Sequence, residues 1–219
     1  MPNDPAFVPY PVYVNSRRLM RFVSRYEMFK RVINVPGDIV VCGLYEGFDF
    51  FSFMKLHAEV EPRNRYRKLT GFDTFTGYTE FTEHDHDLPD VDKDITTGGC
   101  CADWEEFKEA LTTAGEQLGD ACPVTEIRIG DVAVEGPQYI ADNPDTIVAL
   151  LYLDMNIYEP TKAALECFVP RMQAGAVLVV DNLCAVHWPG ATRAAREVLG
   201  RTQQWQQFEW ENNLAWTVI

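Results

Sequence analysis

Two long apolar runs in the C-terminal half constrain the fold of this chain more than any other feature. Residues 146–153 form the first run, which ends in Asp154. Residues 174–180 form the second, which ends in Asp181 and Asn182. Both runs are apolar throughout instead of alternating with polar residues, which is typical of strands buried on both faces of a parallel sheet. The sequence therefore predicts an α/β fold.

The segment between the two runs, residues 159–172, has the pattern of a crossover helix. In a right-handed β-α-β unit the ends of adjacent parallel strands lie side by side, and open α/β sheets bind ligands at those carboxyl ends. We therefore expect Asp154, Asp181 and Asn182 to converge on one site.

Length and charge limit the class of protein. The chain has 219 residues, of which 47% are hydrophobic, so it can form one α/β domain with a sizeable core. Asp and Glu outnumber Lys and Arg by 33 to 19, and the net charge of -14 argues against a nucleic-acid partner. No run approaches the ~20 apolar residues of a membrane span, and no basic region precedes an apolar core at the N-terminus. We expect a soluble cytoplasmic protein without a membrane partner.

The first 35 residues are expected to form an arm and a helix. Residues 1–14 are rich in proline and aromatic residues and predict an extended arm that packs on the domain or on another subunit. Asn15 or Ser16 can cap the helix that follows. Its predicted exposed face is basic: Arg17, Arg18, Arg21, Arg25, Lys30 and Arg31. Such a face can meet a phosphate-bearing substrate or an acidic partner, although a solvated face is the commoner explanation.

A glycine-rich turn follows the first predicted strand. Residues 39–43 form this strand, and the turn Gly43-Leu44-Tyr45-Glu46-Gly47 leads into a helix near Asp49. Glycines at a strand-to-helix turn let backbone N–H groups approach a ligand, as nucleotide-binding loops require. We therefore expect a nucleotide-like ligand at this turn.

Two further predicted strands also end in an acid. Residues 66–72 precede Asp73, which could hold both hydroxyls of a ribose. Residues 124–129 precede Gly130 and Asp131, and Asp131 could hold an adenine amino group. Both acids then lie at the same sheet edge as the glycine-rich turn.

Residues 74–102 contain no convincing periodicity, and a stretch of this length in a compact domain is usually a lid or binding loop. It contains His84-Asp85-His86-Asp87, whose side chains are of the types that bind metals. A mobile acidic lid is the favoured interpretation, because no helix or strand fixes the geometry of these groups. The adjacent Cys100 and Cys101 lack the CxxC spacing of a zinc or redox site. We expect reduced thiols and no structural metal cluster.

The chain ends in a hairpin signal. Residues 206–210 and 214–219 are strand-like, and Glu211-Asn212-Asn213 separates them. Five parallel strands with intervening helices and a terminal antiparallel hairpin is the layout of class I S-adenosylmethionine-dependent methyltransferases.

Four blocks of sequence narrow this likeness to one family of methyltransferases. They resemble the macrocin-type sugar O-methyltransferases of antibiotic biosynthesis: residues 36–43 (PGDIVVCG), 71–77 (GFDTFTG), 153–161 (LDMNIYEPT), and Asp181-Asn182 with 188–191 (WPGA). The resemblance extends from about Leu19 to Leu199. It implies a single Rossmann-like domain over residues 1–219, with a mostly parallel seven-stranded sheet and a C-terminal antiparallel hairpin.

The resemblance also implies ligands and partners. S-adenosylmethionine would contact residues on four strand tips: Gly43, Leu44, Tyr45, Gly47, Asp73, Thr74, Asp131 and Asp154. Asp154, Asp181 and Asn182 would bind magnesium, which orients a small-molecule acceptor and lowers the pKa of its hydroxyl. Asp181 and Asn182 could instead merely cap the following turn. From its place in sequence His187 is a candidate general base, and a homodimer is what the resemblance suggests.

Four positions depart from the family pattern. Val41 stands where the family has an acid, Asn156 where it has a second Asp, Asn182 where it tends to have an Asp, and Phe48 where it has a small residue. These departures leave two alternatives to a magnesium-dependent O-methyltransferase. One is a metal-independent methyltransferase acting on nitrogen or oxygen, with Asn156 and Tyr158 positioning the acceptor. The other is a non-catalytic partner subunit that has lost cofactor binding.

Overall fold

The structure is a computed structural model and describes residues 14–85 and 96–219. The predicted arm at residues 1–13, and His86 and Asp87 of the acidic segment, lie outside the described residues. Within the described part, no helix is long and apolar enough to cross a membrane.

Seven strands form one sheet in the order β3-β2-β1-β4-β5-β7-β6. The strands are β1 Asp38–Cys42, β2 Leu69–Asp73, β3 Thr125–Ile129, β4 Val148–Leu153, β5 Met172–Asp181, β6 Gln206–Phe208 and β7 Glu211–Val218. The first five are parallel, β7 is antiparallel to β5, and β6 is antiparallel to β7. The predicted Rossmann-like sheet with its terminal hairpin is confirmed.

Helices cover both faces of this sheet. They are α1 Ser16–Val32, α2 Phe48–Val60, α3 Trp104–Leu118, α4 Val132–Asp142, α5 Tyr158–Phe168 and α6 Pro189–Leu199, with short 3-10 turns at Gly119–Ala121 and Val169–Arg171. One buried apolar cluster joins the sheet to α1, α2 and α3, and a second joins it to α4, α5 and α6. All six residues of β4 are buried, as its uniformly apolar sequence predicts.

Strand register places the predicted site residues at one edge. Cys42 at the end of β1 pairs with Phe72 of β2 on one side and with Leu153 of β4 on the other. Leu153 in turn pairs with Val180 of β5. The residues that follow these four positions therefore emerge side by side, at the carboxyl edge of the parallel strands.

Several element boundaries differ from prediction; β2, for example, begins at Leu69 instead of residue 66. The hairpin turn lies at residues 209–210 instead of 211–213, because β7 already begins at Glu211, which is buried against α1. The crossover helix ends at Phe168 rather than near residue 172. Pro170 follows there, and proline lacks the N–H that a continuing helix needs.

Arg25 was predicted to lie on an exposed helix face, and this prediction is wrong. Its side chain is fully buried beneath the sheet edge. Nε donates to Asp49 Oδ1 at 2.5 Å, and Nη1 donates to Glu211 Oε1 at 2.5 Å. Nη2 donates to the Tyr152 hydroxyl at 2.5 Å. One guanidinium therefore joins α1 to α2, β4 and β7.

We expect Arg25→Met to lower the free energy of unfolding by about 3–5 kcal/mol, because it leaves the carboxylates of Asp49 and Glu211 buried without their cation. Urea denaturation measures the change. The matched control is Lys30→Met on the same helix, which breaks an exposed pair with Glu27 and should cost under about 1 kcal/mol. An equal, small effect of both substitutions would contradict this role of Arg25.

Candidate functional site

A cavity with an empty volume of about 780 Å³ opens at the carboxyl ends of β1 to β4. We call it the strand-tip cavity. Its lining includes six of the predicted cofactor residues: Gly43, Tyr45, Asp73, Thr74, Asp131 and Asp154. The residues that emerge from four different strands thus enclose one space.

Gly43 is required where β1 turns toward α2. Its φ is +86°, and a Cβ atom there would lie 2.2 Å from the carbonyl oxygen of Asp154. The tips of β1 and β4 can approach this closely only because the residue is glycine. The packing of the two strand tips thus explains this glycine, and its predicted contact with a cofactor stays a prediction.

Leu44 and Gly47 do not belong to the lining of the strand-tip cavity. The Leu44 side chain is buried in the core. Gly47 begins α2 with a φ of +87°, and a Cβ there would lie 2.3 Å from the ring of Phe51. Within the described structure these two residues shape the turn, and their predicted contact with a cofactor stays a prediction.

Asp73 is held in place by three backbone donors. Its Oδ2 accepts from the N–H groups of Leu44 at 2.7 Å and Tyr45 at 2.9 Å, and Oδ1 accepts from Phe75 N–H at 2.7 Å. A carboxylate has about four lone-pair positions, so Oδ1 retains one for a ligand hydroxyl. The Asp73 carboxylate is thus oriented toward the cavity before any ligand enters.

Asp131 has a structural as well as a lining role. Its carboxylate accepts from Ala133 N–H at 2.9 Å and caps α4. The positive end of that helix therefore meets the same cavity. A ligand amino group near Asp131 would find a carboxylate whose orientation is already set.

Part of the irregular segment closes over the strand-tip cavity. Tyr78 and Cys100 lie in its lining, and backbone bonds of 2.8–2.9 Å join Tyr78 to Gly98 and Gly99. Burial, and secondly a hydrogen bond with Cys100, raise the pKa of Tyr78, so its hydroxyl stays protonated at neutral pH. Sequence reasoning missed Tyr78 because no periodic pattern surrounds it; the nearby Gly77 and Gly98, both at positive φ, were the available signal.

Asp85 of the acidic segment is a fixed anchor. It is buried, and its Oδ1 accepts from Tyr158 N–H at 2.8 Å at the start of α5. Its Oδ2 accepts from both the N–H and the hydroxyl of Thr82. A Cβ at Gly190 would lie 1.9 Å from Asp85 Oδ1, so α6 also fits closely around it. In the described part of the segment, Asp85 therefore caps α5 instead of serving as a free acid.

A second, open groove lies beside the cavity, and we call it the α1 groove. It is lined by the start of α1, the tips of β4 and β5, and the hairpin, including Arg17, Arg18, Arg21, Phe48, Asp154, Asp181, Asn182 and Trp210. Asp154 lines both the groove and the strand-tip cavity. Asp154, Asp181 and Asn182 therefore converge in this groove, as their positions at neighbouring strand ends predict.

A chain of side-chain amides connects the two spaces. Asn156 Nδ2 donates to the Tyr78 hydroxyl oxygen at 2.9 Å, and Asn182 Nδ2 donates to Asn156 Oδ1 at 2.6 Å. Asn213 Nδ2 donates to Asp181 Oδ1 at 2.7 Å. Asn156 and Asn182 both have positive φ, which asparagine tolerates better than most residues. The bond to Asn156 turns Asn182 Oδ1 away from Asn156.

The surroundings of Asp154 and Asp181 in the groove raise the pKa of both carboxyl groups. Burial, then repulsion by Asp181 and Asp49, raise the pKa of Asp154 well above its ordinary value. Burial is also the largest cause of the raised pKa of Asp181. Arg21 and Arg25 act in the opposite direction on both carboxyls, but their guanidinium groups make their ion pairs with Asp49 and Glu211.

This donor set fits a divalent cation. No cluster of three His, Cys, Asp or Glu able to hold a metal occurs in residues 14–85 and 96–219. Two carboxylates and the Asn182 amide oxygen are nevertheless hard oxygen donors, and Mg²⁺ binds through few protein ligands while keeping several waters. The excess charge of the pair would be neutralised by such an ion.

His187 and Phe48 do not line the strand-tip cavity. His187 is exposed on the loop between β5 and α6 and lines neither space. Its role as a base stays a prediction without a supporting contact. Phe48 lines the α1 groove, and the Arg21 guanidinium lies 4.9 Å from its ring centroid, so its bulk does not fill the strand-tip cavity.

No protein-family model matches this sequence, and no curated protein matches it. Solved structures, in contrast, match this chain. A crystal structure of the calicheamicin methyltransferase CalS11 is 28% identical with a TM-score of 0.85, covering 99% of this chain and 87% of that one. An apo structure of CalS11, described as a TDP-rhamnose 3'-O-methyltransferase, is 26% identical with a TM-score of 0.75, covering 96% and 83%.

The chain is a class I S-adenosylmethionine-dependent methyltransferase. The O-methyltransferase NovP, at 18% identity and a TM-score of 0.65 over 90% of this chain and 78% of that one, shares the fold. The resemblance to macrocin-type sugar O-methyltransferases agrees with these structural neighbours. The alternative of a non-catalytic partner subunit is therefore set aside.

We expect this methyltransferase to gain stability from Asp154→Asn in chelator. A raised folded-state pKa means that ionised Asp154 opposes folding above the unfolded-state value of about 3.9. At pH 7.5 the substitution should raise Tm by at least about 2 °C, the shift given by ~1 kcal/mol in a chain of this size. The gain should shrink steadily as the pH falls from 7.5 toward 4, because the carboxyl then becomes protonated in the unfolded state as well.

Calorimetric scans across pH 4–8 check this expectation. Asp145→Asn is the matched control, because Asp145 is exposed before β4, at the opposite edge of the sheet. A lower Tm for Asp154→Asn at pH 7.5 would show that the carboxylate is favourably bound in the folded protein.

Proposed function

We propose that this enzyme transfers the methyl group of S-adenosylmethionine to a hydroxyl of a sugar or sugar-like intermediate of antibiotic biosynthesis, with magnesium at Asp154, Asp181 and Asn182. The observation that carries the proposal is the position of Asp154 at the boundary between the strand-tip cavity and the α1 groove. A methyl donor on one side and an acceptor on the other would meet there. The CalS11 relative is described as a sugar O-methyltransferase.

The strand-tip cavity supports a cofactor of this shape. Asp73 offers an oriented carboxylate for a ribose hydroxyl, and Asp131 lies at the next strand tip for the adenine. Gly43 lies at the tip of β1 and Asp154 at the tip of β4, away from Asp131, where the methionine end would lie. Tyr78 lines the cavity and would help to exclude water from a bound sulfonium.

The α1 groove supplies the acceptor side of the reaction. Bound magnesium would orient the acceptor and lower the pKa of its hydroxyl. Asp154 has no hydrogen-bond partner for its side chain among the described residues, so its oxygens can accept from an incoming hydroxyl or hold the ion. Asn213 fixes Asp181, and Asn156 fixes Asn182. These residues position the reactants for in-line displacement, which is most of what methyl transfer requires.

The decisive measurement is calorimetric titration with S-adenosylmethionine, in magnesium and in chelator, followed by an assay for methylated sugar. We expect micromolar cofactor binding in both buffers and turnover in magnesium alone. Asp154→Ala should reduce turnover at least about 100-fold, as loss of a group that activates a hydroxyl does, while His187→Ala and the control Asp145→Asn retain it.

The other outcomes are equally informative. Full turnover in excess chelator would favour the metal-independent alternative. Loss of turnover in His187→Ala would restore the base predicted from sequence. Absence of cofactor binding in both buffers would contradict the proposal.

Asn156 provides a separate test of the magnesium site. Asn156→Leu removes the acceptor that orients the Asn182 amide, and we expect the half-maximal magnesium concentration to rise 10–100-fold, as for other residues that orient metal ligands. Asn156→Asp should stay close to the original protein, because a carboxylate can accept from both Asn182 Nδ2 and the Tyr78 hydroxyl. Magnesium titration of the initial rate compares the two; equal losses would show that the acceptor at residue 156 does not maintain the magnesium affinity.

A further inference from the structure

The α1 groove has a basic side that the methyl-transfer chemistry does not use. Arg17 and Arg18, in the first turn of α1, line the groove and are exposed. Their guanidinium groups make no ion pair with any residue in 14–85 or 96–219. Arg21, one turn further, reaches Asp49 and Glu211 only at 3.6 Å. Unpaired arginines in a protein of net charge -14 are available for an anionic ligand.

The start of α1 strengthens this basic side. The first turn contains no acidic residue, and the Asn15 side chain satisfies one backbone donor, Arg17 N–H, at 2.8 Å. The N–H groups of Ser16 and Arg18 remain to add to the positive end of the helix. Arginine's planar set of donors matches phosphate oxygens, so phosphate is the anion this arrangement suits.

Trp210 offers a flat surface on the hairpin side of the same groove. One face of its indole stacks on Phe208 at 5.1 Å and 16°, and its Nε1 donates to Ser24 Oγ at 3.0 Å. These contacts fix the ring, yet 45% of the residue is exposed. A fixed aromatic ring with an exposed face is a platform on which a nucleobase can stack.

We propose that the acceptor is a nucleoside diphosphate sugar. The sugar hydroxyl lies at Asp154, Asp181 and Asn182, Arg17 and Arg18 bind the diphosphate, and Trp210 stacks on the base. This proposal rests on the proposed methyl transfer for the place of the sugar, but the binding of the diphosphate does not. A sugar already attached to a neutral product would leave Arg17 and Arg18 without a ligand.

The test is calorimetric titration of the full chain, in chelator so that no cation bridges phosphate to Asp154. The probes are thymidine 5'-diphosphate, uridine 5'-diphosphate, inorganic pyrophosphate and thymidine. We expect at least one nucleoside diphosphate to bind, pyrophosphate to bind more weakly, and thymidine weakest. Binding should weaken as salt is raised, because the contacts are exposed charges.

Two variants locate the subsite. Arg17→Ala with Arg18→Ala should weaken nucleoside diphosphate binding at least about tenfold, the loss expected for one or more charged hydrogen bonds. The matched control is Arg63→Ala with Arg65→Ala, which removes two exposed arginines before β2 at the opposite sheet edge. Trp210→Leu should reduce nucleoside diphosphate binding toward that of pyrophosphate and leave pyrophosphate unchanged.

The outcomes separate this proposal from the methyltransferase activity. Unchanged nucleotide binding in the Arg17 and Arg18 variant overturns the subsite. Absence of nucleoside diphosphate binding up to about 5 mM (a free energy weaker than roughly -3 to -4 kcal/mol), in protein that still binds S-adenosylmethionine, also overturns it, and the methyl-transfer proposal survives. Tight nucleotide binding without any S-adenosylmethionine binding would support the subsite and contradict the proposed reaction.

Discussion

The buried guanidinium of Arg25 is the interaction on which both sides of the site depend. It holds Asp49 of α2, Glu211 of β7 and the hydroxyl of Tyr152 in β4 around one charge. A buried ion pair of this kind adds little net stability, because desolvation offsets attraction, but it fixes relative positions. The helix that carries the basic groove residues is thereby held at a set place against the strand tip that carries Asp154. The relative position of the α1 groove and the strand-tip cavity follows from this anchor.

The two asparagines that depart from the family pattern belong together. With Asp at both positions, two carboxylates would face each other at the 2.6 Å separation now occupied by a hydrogen bond. They would add negative charge beside Asp154 and Asp181, whose pKa values burial already raises. The amide pair supplies a donor and an acceptor instead. Asp154 and Asp181 then remain as the two carboxylates that one divalent cation would neutralise. Asn156 and Asn182 are therefore best understood as a hydrogen-bonded pair that replaces two aspartates together, rather than as two independent losses of a carboxylate.

Sequence patterns predicted the parts of the protein that depend on local or periodic rules. The apolar runs predicted β4 and β5. Asn15 was recognised as a helix cap and Asp131 as the acid at a strand tip, and the acids converged because strand ends align in a parallel sheet. Arg25 was missed because a hydropathy pattern always places arginine outside, whereas its three partners come from distant segments. Asp85 was missed for the same reason: it caps a helix 73 residues away. Long-range polar contacts leave no periodic trace in sequence.

The division of the site between elements explains how one fold can serve different acceptors. The tips of β1 to β4 form the strand-tip cavity, and their geometry is fixed by the buried sheet. The α1 groove is instead built from the start of α1 and the hairpin, which lie outside the parallel core. Arg17, Arg18 and Trp210 can therefore change without disturbing the strand tips, whereas Asp154 cannot, because it faces both spaces. Selection for a new acceptor would act on the groove's rim, and selection for methyl transfer would act on Asp154 and the residues that hold it.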